Sequence, residues 1–127
     1  MENGIPETPL DPAAVKAAED RLLAPQQDRQ MQQLVEAMCD PTRVRIVQAL
    51  SGCELAAGDL AHVIGRSRSA TSQHLKVLRD LGAVVATRNG NIVRYSLSSD
   101  LNGEVLADCV SAFDRLKKAS GGALGCT

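Results

Sequence analysis

Four polar side chains share one face of a predicted helix and carry groups that hydrogen-bond to nucleic acid. They are Ser69, Ser72, Gln73 and Lys76. Hydroxyl and amide groups bond to base edges in the DNA major groove, and an ammonium group neutralises a phosphate. The residue types therefore favour a helix that reads a DNA groove.

The helix that presents this face is predicted to span residues 67–82. Ser67 is a favourable N-cap and Gly82 a favourable C-terminal stop. An apolar stripe at i, i+4 and i+7 indicates the buried side and consists of Thr71, Leu75 and Leu78. A short predicted helix over 58–64 and a tight turn precede it, which is the order of a helix-turn-helix.

The charge distribution supports phosphate binding even though the chain of 127 residues has a net charge of −1. From Arg66 to Arg94 there are six basic residues and one acidic residue, whereas the rest of the chain has eight basic and fourteen acidic residues. Such a local basic segment is typical of DNA-binding proteins. The predicted DNA-binding residues are Arg66, Arg68, Ser69, Ser72, Gln73, His74, Lys76, Arg88 and Arg94. With only two aromatic residues, the chain lacks the stacking platforms of single-strand binders.

A β-hairpin is predicted directly after this helix. Two β-rich segments, 83–87 and 92–97, flank Asn89 and Gly90, and both of these turn residues accept positive φ. A hairpin in this position is a wing. Arg88 and Arg94 flank its turn and would contact phosphates or the minor groove.

The remaining helices begin at cap-plus-proline signals. Asp11-Pro12 and Asp40-Pro41 start helices, the first of them over 12–24. Another helix is predicted over 26–39, and in the helix after Pro41 three apolar residues, Val44, Val47 and Leu50, face inward. The last helix, 100–119, has an apolar stripe of Val105, Cys109, Ala112, Phe113 and Leu116.

These elements predict a mainly α fold with a small β-hairpin, arranged as a winged helix-turn-helix. Residues 1–10 are expected to form a disordered tail, 11–119 one domain and 120–127 a flexible tail. One reading helix buries too little surface for tight specific binding, and the terminal helices have apolar stripes with few partners. Dimerisation through the N- and C-terminal helices would bury these stripes and place two such helices on the DNA.

Three segments resemble the ArsR/SmtB family of bacterial repressors. They are Asp40 to Leu50 (DPTRVRIVQAL), Ser69 to Arg79 (SATSQHLKVLR) and Gly90 to Leu97 (GNIVRYSL). The resemblance covers roughly residues 31–116. It implies a homodimer, a double-stranded DNA operator with dyad symmetry, and release when a metal ion or oxidant is sensed.

The ligand positions that the resemblance implies are incompletely filled. The segment 54–60 reads ELAAGDL and lacks the family's cysteine pair. The helix 67–82 has no cysteine, and the last helix has no histidine. Gln48 occupies the place of the first cysteine of the family's persulfide sensors.

Three cysteines remain as a candidate metal or redox site, namely Cys39, Cys53 and Cys109. Thiolates bind arsenite, cadmium or lead, and they are also oxidised or persulfidated. The alternative is a structural thiol, which the apolar stripe favours for Cys109, whereas a loop position favours sensing for Cys53. Both interpretations remain open for Cys39, and Cys126 lies in the predicted tail as a bystander.

The leading hypothesis is a dimeric repressor released by a thiol-reactive signal, most readily a thiophilic metal or metalloid. The alternatives are a redox or reactive-sulfur sensor and an inducer-independent DNA- or protein-binding module. No catalytic constellation is recognisable, so no enzyme is expected. The sequence has no apolar segment long enough to span a membrane, so a cytoplasmic location is expected. For Arg43, both a DNA-backbone contact and an ion pair remain open.

Overall fold

The computed structural model describes residues 8–123, with side chains described through residue 119. Its elements are α1 (Pro12–Glu19), α2 (Pro25–Met38), α3 (Pro41–Ala49), β1 (Leu55–Ala56), α4 (Ala57–Ile64), α5 (Arg68–Asp80), β2 (Val84–Asn89), β3 (Ile92–Leu97) and α6 (Leu101–Ala123). Two compact units divide the chain, Met1–Met31 and Gln32–Thr127. None of the helices described is both long and apolar enough to cross a bilayer.

The first unit contains α1, which begins as predicted. The Asp11 carboxylate accepts a hydrogen bond from the Ala14 N–H at 3.1 Å, and Pro12 occupies the first turn. The helix ends at Glu19, before the predicted end at residue 24. Ala24 precedes Pro25, which disfavours helical geometry there, and its N–H donates to Gln27 Oε1 at 3.0 Å at the start of α2. No residue of α1 is buried.

The second unit has a hydrophobic core built from the C-terminal part of α2, helices α3 to α6 and the start of β2. Its largest fully buried side chains include Ile46, Val47, Leu60, Leu75, Leu78 and Leu106. The predicted inward positions Val47 and Leu50 are buried, and Val44 is partly buried against them. At the start of α3 the Asp40 carboxylate caps the helix, accepting from the Thr42 N–H at 2.7 Å.

The wing is a three-stranded antiparallel sheet in the order β1-β3-β2. The predicted hairpin is present, but its turn differs from the expectation. Asn89 pairs with Ile92, so the two turn residues are Gly90 and Asn91. Of these two turn residues, only Gly90 has a positive φ, at 68°. This is the φ pattern of a type II′ turn, whereas an Asn-Gly pair suggests a type I′ turn.

Helix α6 leaves most of its predicted apolar stripe uncovered, with only Val105 of that stripe partly buried against the core. Leu106 and Val110 are buried, whereas Cys109, Phe113 and Leu116 are exposed. The backbone of α6 lies very close to Ser98 at Gly103, where a Cβ would overlap the Ser98 carbonyl. The backbone stays helical to Ala123, past the predicted end at residue 119. Of the predicted tails, residues 1–7 and 124–127 lie outside the described residues.

Candidate nucleic-acid interface

The turn between α4 and α5 has a well-defined backbone. α4 ends in a Schellman motif, in which the Gly65 N–H donates to the His62 carbonyl at 3.3 Å and the Arg66 N–H to the Ala61 carbonyl at 3.0 Å. Gly65 has φ of 68°, a left-handed conformation that glycine adopts at little cost. The motif turns the chain within three residues into the N-cap of α5, which completes the predicted helix-turn-helix.

The side-chain hydrogen bonds described for the N-terminal half of α5 join residues that are close in the chain. Ser67 Oγ accepts from the Ala70 N–H at 3.1 Å, and Thr71 Oγ1 donates to the Ser67 carbonyl at 2.8 Å. The predicted stripe of Thr71, Leu75 and Leu78 is buried. The predicted polar face is exposed along its length at Ser69, Ser72, Gln73 and Lys76. Its hydroxyl and amide groups are therefore accessible to base edges.

The cations around this face differ in their surroundings. Arg66 and Arg68 flank the N-cap and are exposed. Lys76 Nζ lies 3.1 Å from Asp80 Oδ2 one turn later, with both side chains largely exposed. Exposed pairs of this kind contribute little, so a phosphate can replace Asp80 at small cost.

The wing places its two predicted arginines on opposite faces. Arg88 pairs with Val93 while Thr87 pairs with Arg94, and successive side chains of a strand alternate between faces. Arg88 therefore shares a face with Tyr95, which lies toward α5, because the Arg79 guanidinium stands 5.9 Å from the Tyr95 ring centroid. Arg88 is exposed and Arg94 is half-buried.

The Arg79–Tyr95 contact lines a groove that the sequence did not reveal. This groove of about 470 Å³ lies between α5 and the wing, and Ser72 and Lys76 also line it. The spacing of Ser72, Lys76 and Arg79 at i, i+4 and i+7 was the available signal. Arg79 thus joins the cationic surface beside the predicted DNA-facing residues.

The predicted DNA contact His74 lies against α3 instead of standing free. Its Nδ1 is 3.3 Å from an Arg43 terminal nitrogen, and 23% of its side chain is exposed. For Arg43 a DNA-backbone contact and an ion pair were both open, but only 18% of its side chain is exposed, and its Nε donates to the Ala37 carbonyl at 2.6 Å. No pattern in the sequence indicated that an arginine of α3 reaches both α2 and α5.

Asp40 completes this group. Its Oδ2 lies 3.9 Å from Arg43 and 4.0 Å from His74 Nδ1. Burial raises the pKa of the Asp40 carboxyl, but hydrogen bonds from the Thr42 and Arg43 N–H groups, with the charges of His74 and Arg43, outweigh it and hold the pKa below its ordinary value.

The C-terminal end of α5 is bonded to α6. The chain leaves α5 through a second Schellman motif, with the Gly82 N–H on the Arg79 carbonyl at 2.8 Å and the Ala83 N–H on the Leu78 carbonyl at 3.0 Å. Asn102 Nδ2 donates to the Leu81 carbonyl at 2.6 Å. A side chain of α6 thus satisfies a carbonyl at the end of α5.

The three candidate cysteines are free thiols and all are exposed: Cys39, Cys53 and Cys109. Exposure of Cys109 corrects the expectation of a core position, since Leu106 and Val110 occupy the buried face. The Cys53 thiol is 3.6 Å from the Ala49 carbonyl. Across residues 8–123, no three His, Cys, Asp or Glu side chains group to hold a metal ion, so a metal does not fit within one chain there. Cys126 lies outside the described residues.

The family described as "Bacterial regulatory protein, arsR family" matches residues 40–85, from the cap of α3 to the start of the wing. The regulator CmtR of Mycobacterium bovis is 43% identical over 77 residues, which are 61% of this chain and 65% of that protein's length. The transcriptional repressor SdpR of Bacillus subtilis is 33% identical over 81 residues, covering 64% of this chain and 86% of SdpR.

Solved structures share the fold. Reduced HlyU from Vibrio cholerae has a TM-score of 0.64 and 31% identity, covering 72% of this chain and 92% of that one. A homodimeric winged helix-turn-helix DNA-binding domain from Mycobacterium bovis has a TM-score of 0.61 at 21% identity, covering 77% and 90%. These regulators are not enzymes, and the predicted winged helix-turn-helix fold is confirmed.

Proposed function

Because the chain belongs to the ArsR family of bacterial regulatory proteins, we propose that it is a transcriptional repressor that binds an operator as a homodimer. The observation that carries the proposal is the exposed polar face of α5. This helix follows a well-defined turn, and a wing that carries Arg88 and Arg94 comes directly after it. The relative SdpR is itself a transcriptional repressor. An operator with dyad symmetry follows from two copies related by a two-fold axis.

In the proposed complex the N-terminal half of α5 enters the major groove. Ser69, Ser72 and Gln73 contact base edges, whereas the cations contact phosphates. The phosphate contacts are assigned to Arg66, Arg68, Lys76, Arg88 and Arg94. Because Arg88 and Arg94 lie on opposite faces of the wing, they would reach different parts of the backbone.

The proposed dimer is supported by apolar side chains that one chain leaves uncovered. On α6, Leu101, Phe113 and Leu116 are exposed by 62%, 44% and 68%, and Val35 on α2 is exposed by 51%. Burying this surface against a second copy would stabilise a dimer. Phe113→Glu with Leu116→Glu should convert the dimer to a monomer in analytical ultracentrifugation; a dimer that survives both changes contradicts this interface.

The proposed signal is thiol-reactive and acts through Cys39, Cys53 and Cys109. All three thiols are accessible, which oxidation or persulfidation requires. A thiophilic ion such as arsenite, cadmium or lead would need thiolates from both chains of the dimer, because the residues described in one chain do not converge.

The test begins with an operator selected from a random duplex pool by the reduced protein. Arsenite, cadmium, lead, peroxide and polysulfide are then titrated against the complex. We expect at least one agent to release the wild type but not the triple Cys→Ser variant, with Cys126→Ser as the matched control. Equal release of the triple variant contradicts thiol sensing, and release by no agent favours the inducer-independent alternative.

A further inference from the structure

We propose that Arg43 is a positioning residue for DNA recognition: it ties α5, through His74, to the last turn of α2. The inference rests on the proposed function, because it concerns how the reading helix is held in the groove. It assigns Arg43 a role inside the protein and gives His74 a partner other than DNA.

The guanidinium of Arg43 uses its three nitrogens on two other elements. Nε donates to the Ala37 carbonyl at 2.6 Å and one terminal nitrogen to the Glu36 carbonyl at 3.4 Å. The other terminal nitrogen lies 3.3 Å from His74 Nδ1. The carbonyls at a helix C-terminus have no intrahelical donors, so a cation there forms charge-assisted bonds.

The contact determines which nitrogen of His74 carries the proton. A guanidinium has donors only, so Nδ1 must accept and the proton of the neutral ring lies on Nε2. Asp40 is the other charged group facing the ring, and its Oδ2 is 4.0 Å from Nδ1. Asp40 already accepts from two backbone N–H groups of α3. The shorter contact makes Arg43 the principal partner of the ring.

The burial of the Arg43 side chain favours a role in positioning α5 over a contact with a DNA phosphate. Less than a fifth of the Arg43 side chain is exposed, and each of its three nitrogens has a partner within the protein. Arg45, two residues later on the same helix, is exposed and lies on another side of α3. Arg45 is therefore the matched control, because its removal deletes the same charge without the link.

His74 is adjacent in sequence to Gln73, which is proposed to read a base. A side chain that reads bases must be held within about 0.5 Å of its productive position. Loss of the link lets α5 shift relative to α2, which misplaces Gln73 while leaving the cations available. Specific affinity should therefore fall while the dependence on salt stays the same.

The experiment measures binding of the full chain to its selected operator and to a scrambled duplex at several salt concentrations. Arg43→Met should weaken operator binding about tenfold or more, without a change in salt slope. Arg45→Met should bind within about threefold of wild type. A salt slope lowered by about one in Arg43→Met would identify a direct phosphate contact and overturn the proposal.

Two substitutions of His74 test the link with Arg43 intact, and they decide the matter if Arg43→Met fails to fold. Asn places an acceptor where Nδ1 stands, whereas Gln places its amide where Nε2 stands. We expect His74→Asn to bind the operator within about threefold of wild type and His74→Gln to bind as weakly as Arg43→Met. The reverse order would show that His74 touches DNA through Nε2 and would overturn the link.

A spectrum of the free protein separates this proposal from the proposed function. The ¹H–¹⁵N correlation of the His74 ring should show an unprotonated Nδ1 in wild type and a loss of that preference in Arg43→Met. A proton on Nδ1 in wild type overturns the link. If the wild type selects no DNA sequence, the proposed function fails and the role of Arg43 in recognition fails with it, while the ring spectrum still shows whether the link forms.

Discussion

The two halves of α5 are held in different ways. The N-terminal half is secured by Ser67, whose hydroxyl and carbonyl both form bonds within four residues along the chain. The C-terminal half is secured by other elements, through His74 to Arg43 and through the Leu81 carbonyl to Asn102. The side-chain bonds of the N-terminal half (67–73, the exposed half) thus stay within α5 and its cap, although Thr71 is buried. The C-terminal half (74–81, the packed half) is also bonded to other helices.

Substitution of the exposed Ser69, Ser72 or Gln73 should change DNA recognition with little effect on folding. Truncation of the buried Leu75 or Leu78 should chiefly lower stability.

The two scaffold contacts come from Arg43, which also bonds the end of α2, and from Asn102 on α6. Cys109 lies on α6 and Cys39 directly follows α2, so a signal received at either thiol would have a bonded route to α5.

The largest predicted effect falls on the packed half. Leu78→Ala removes a side chain with no exposed surface and should lower the free energy of unfolding by about 2–5 kcal/mol. Gln73→Ala, on the exposed face, should change it by less than about 0.5 kcal/mol. Urea denaturation of both variants checks the contrast. Equal losses would mean that α5 is not divided in this way.

A second prediction concerns the place where α6 meets the end of the wing. Gly103→Ala introduces a Cβ that overlaps the Ser98 carbonyl, so the backbone must shift at a cost of about 1–3 kcal/mol. Gly58→Ala on α4 is the control, since a Cβ there meets open space, and it should leave stability unchanged or raise it by up to about 1 kcal/mol. Thermal melts of both variants measure the two effects, and comparable destabilisation by the two changes would contradict the close approach.

The third prediction tests the exposed half on DNA. Gln73→Ala should reduce discrimination at one base position by about 1–3 kcal/mol and leave the salt slope unchanged. Arg88→Ala should instead weaken binding to all sequences and lower the salt slope by about one. Titrations of the operator and its point variants separate the two. If Gln73→Ala changes neither affinity nor preference, another face of α5 enters the groove.

Local signals in the sequence predicted where three helices begin and which side of α5 is buried. Ser67, Asp11 and Asp40 cap helices as their residue types indicate, because an N-cap bond spans only two or three residues. The buried stripe of α5 followed from the 3.6-residue period. The same reasoning located the hairpin but not its turn, since Asn89 and Gly90 suit more than one register.

The contacts between elements were beyond such signals. β1 has only two residues and exists because Leu55 and Ala56 pair with Tyr95 and Arg94, some forty residues later. On α6 the helical spacing identified the apolar stripe that includes Cys109 and Phe113, but it did not show that Leu106 and Val110 pack on the core beyond the close contact at Gly103. The three-way contact of Arg43 likewise depends on how α2, α3 and α5 pack.

A smaller effect is expected from the cap of the exposed half. Ser67→Ala removes the acceptor of the Ala70 N–H and should cost about 0.5–2 kcal/mol in the free energy of unfolding. Ser69→Ala is the matched control, because it is exposed and lies two residues away. Urea denaturation should place Ser69→Ala near wild type and Ser67→Asp between wild type and Ser67→Ala. A Ser67→Ala variant as stable as wild type would show that the exposed half does not depend on its own cap.

The smallest predicted effect is the pH dependence of stability that Asp40 contributes on the scaffold side. Its pKa is lower in the folded chain than the ordinary value of about 3.9, so the carboxylate stabilises the fold above that pH. This contribution is lost as the pH falls through the folded pKa. Asp40→Asn and Asp40→Ser can still cap α3 but cannot ionise there, so their stability deficits relative to wild type should shrink together below about pH 4. Urea denaturation from pH 7 to pH 3 measures these deficits, and a deficit that stays constant over the range would show that Asp40 acts only as a neutral cap.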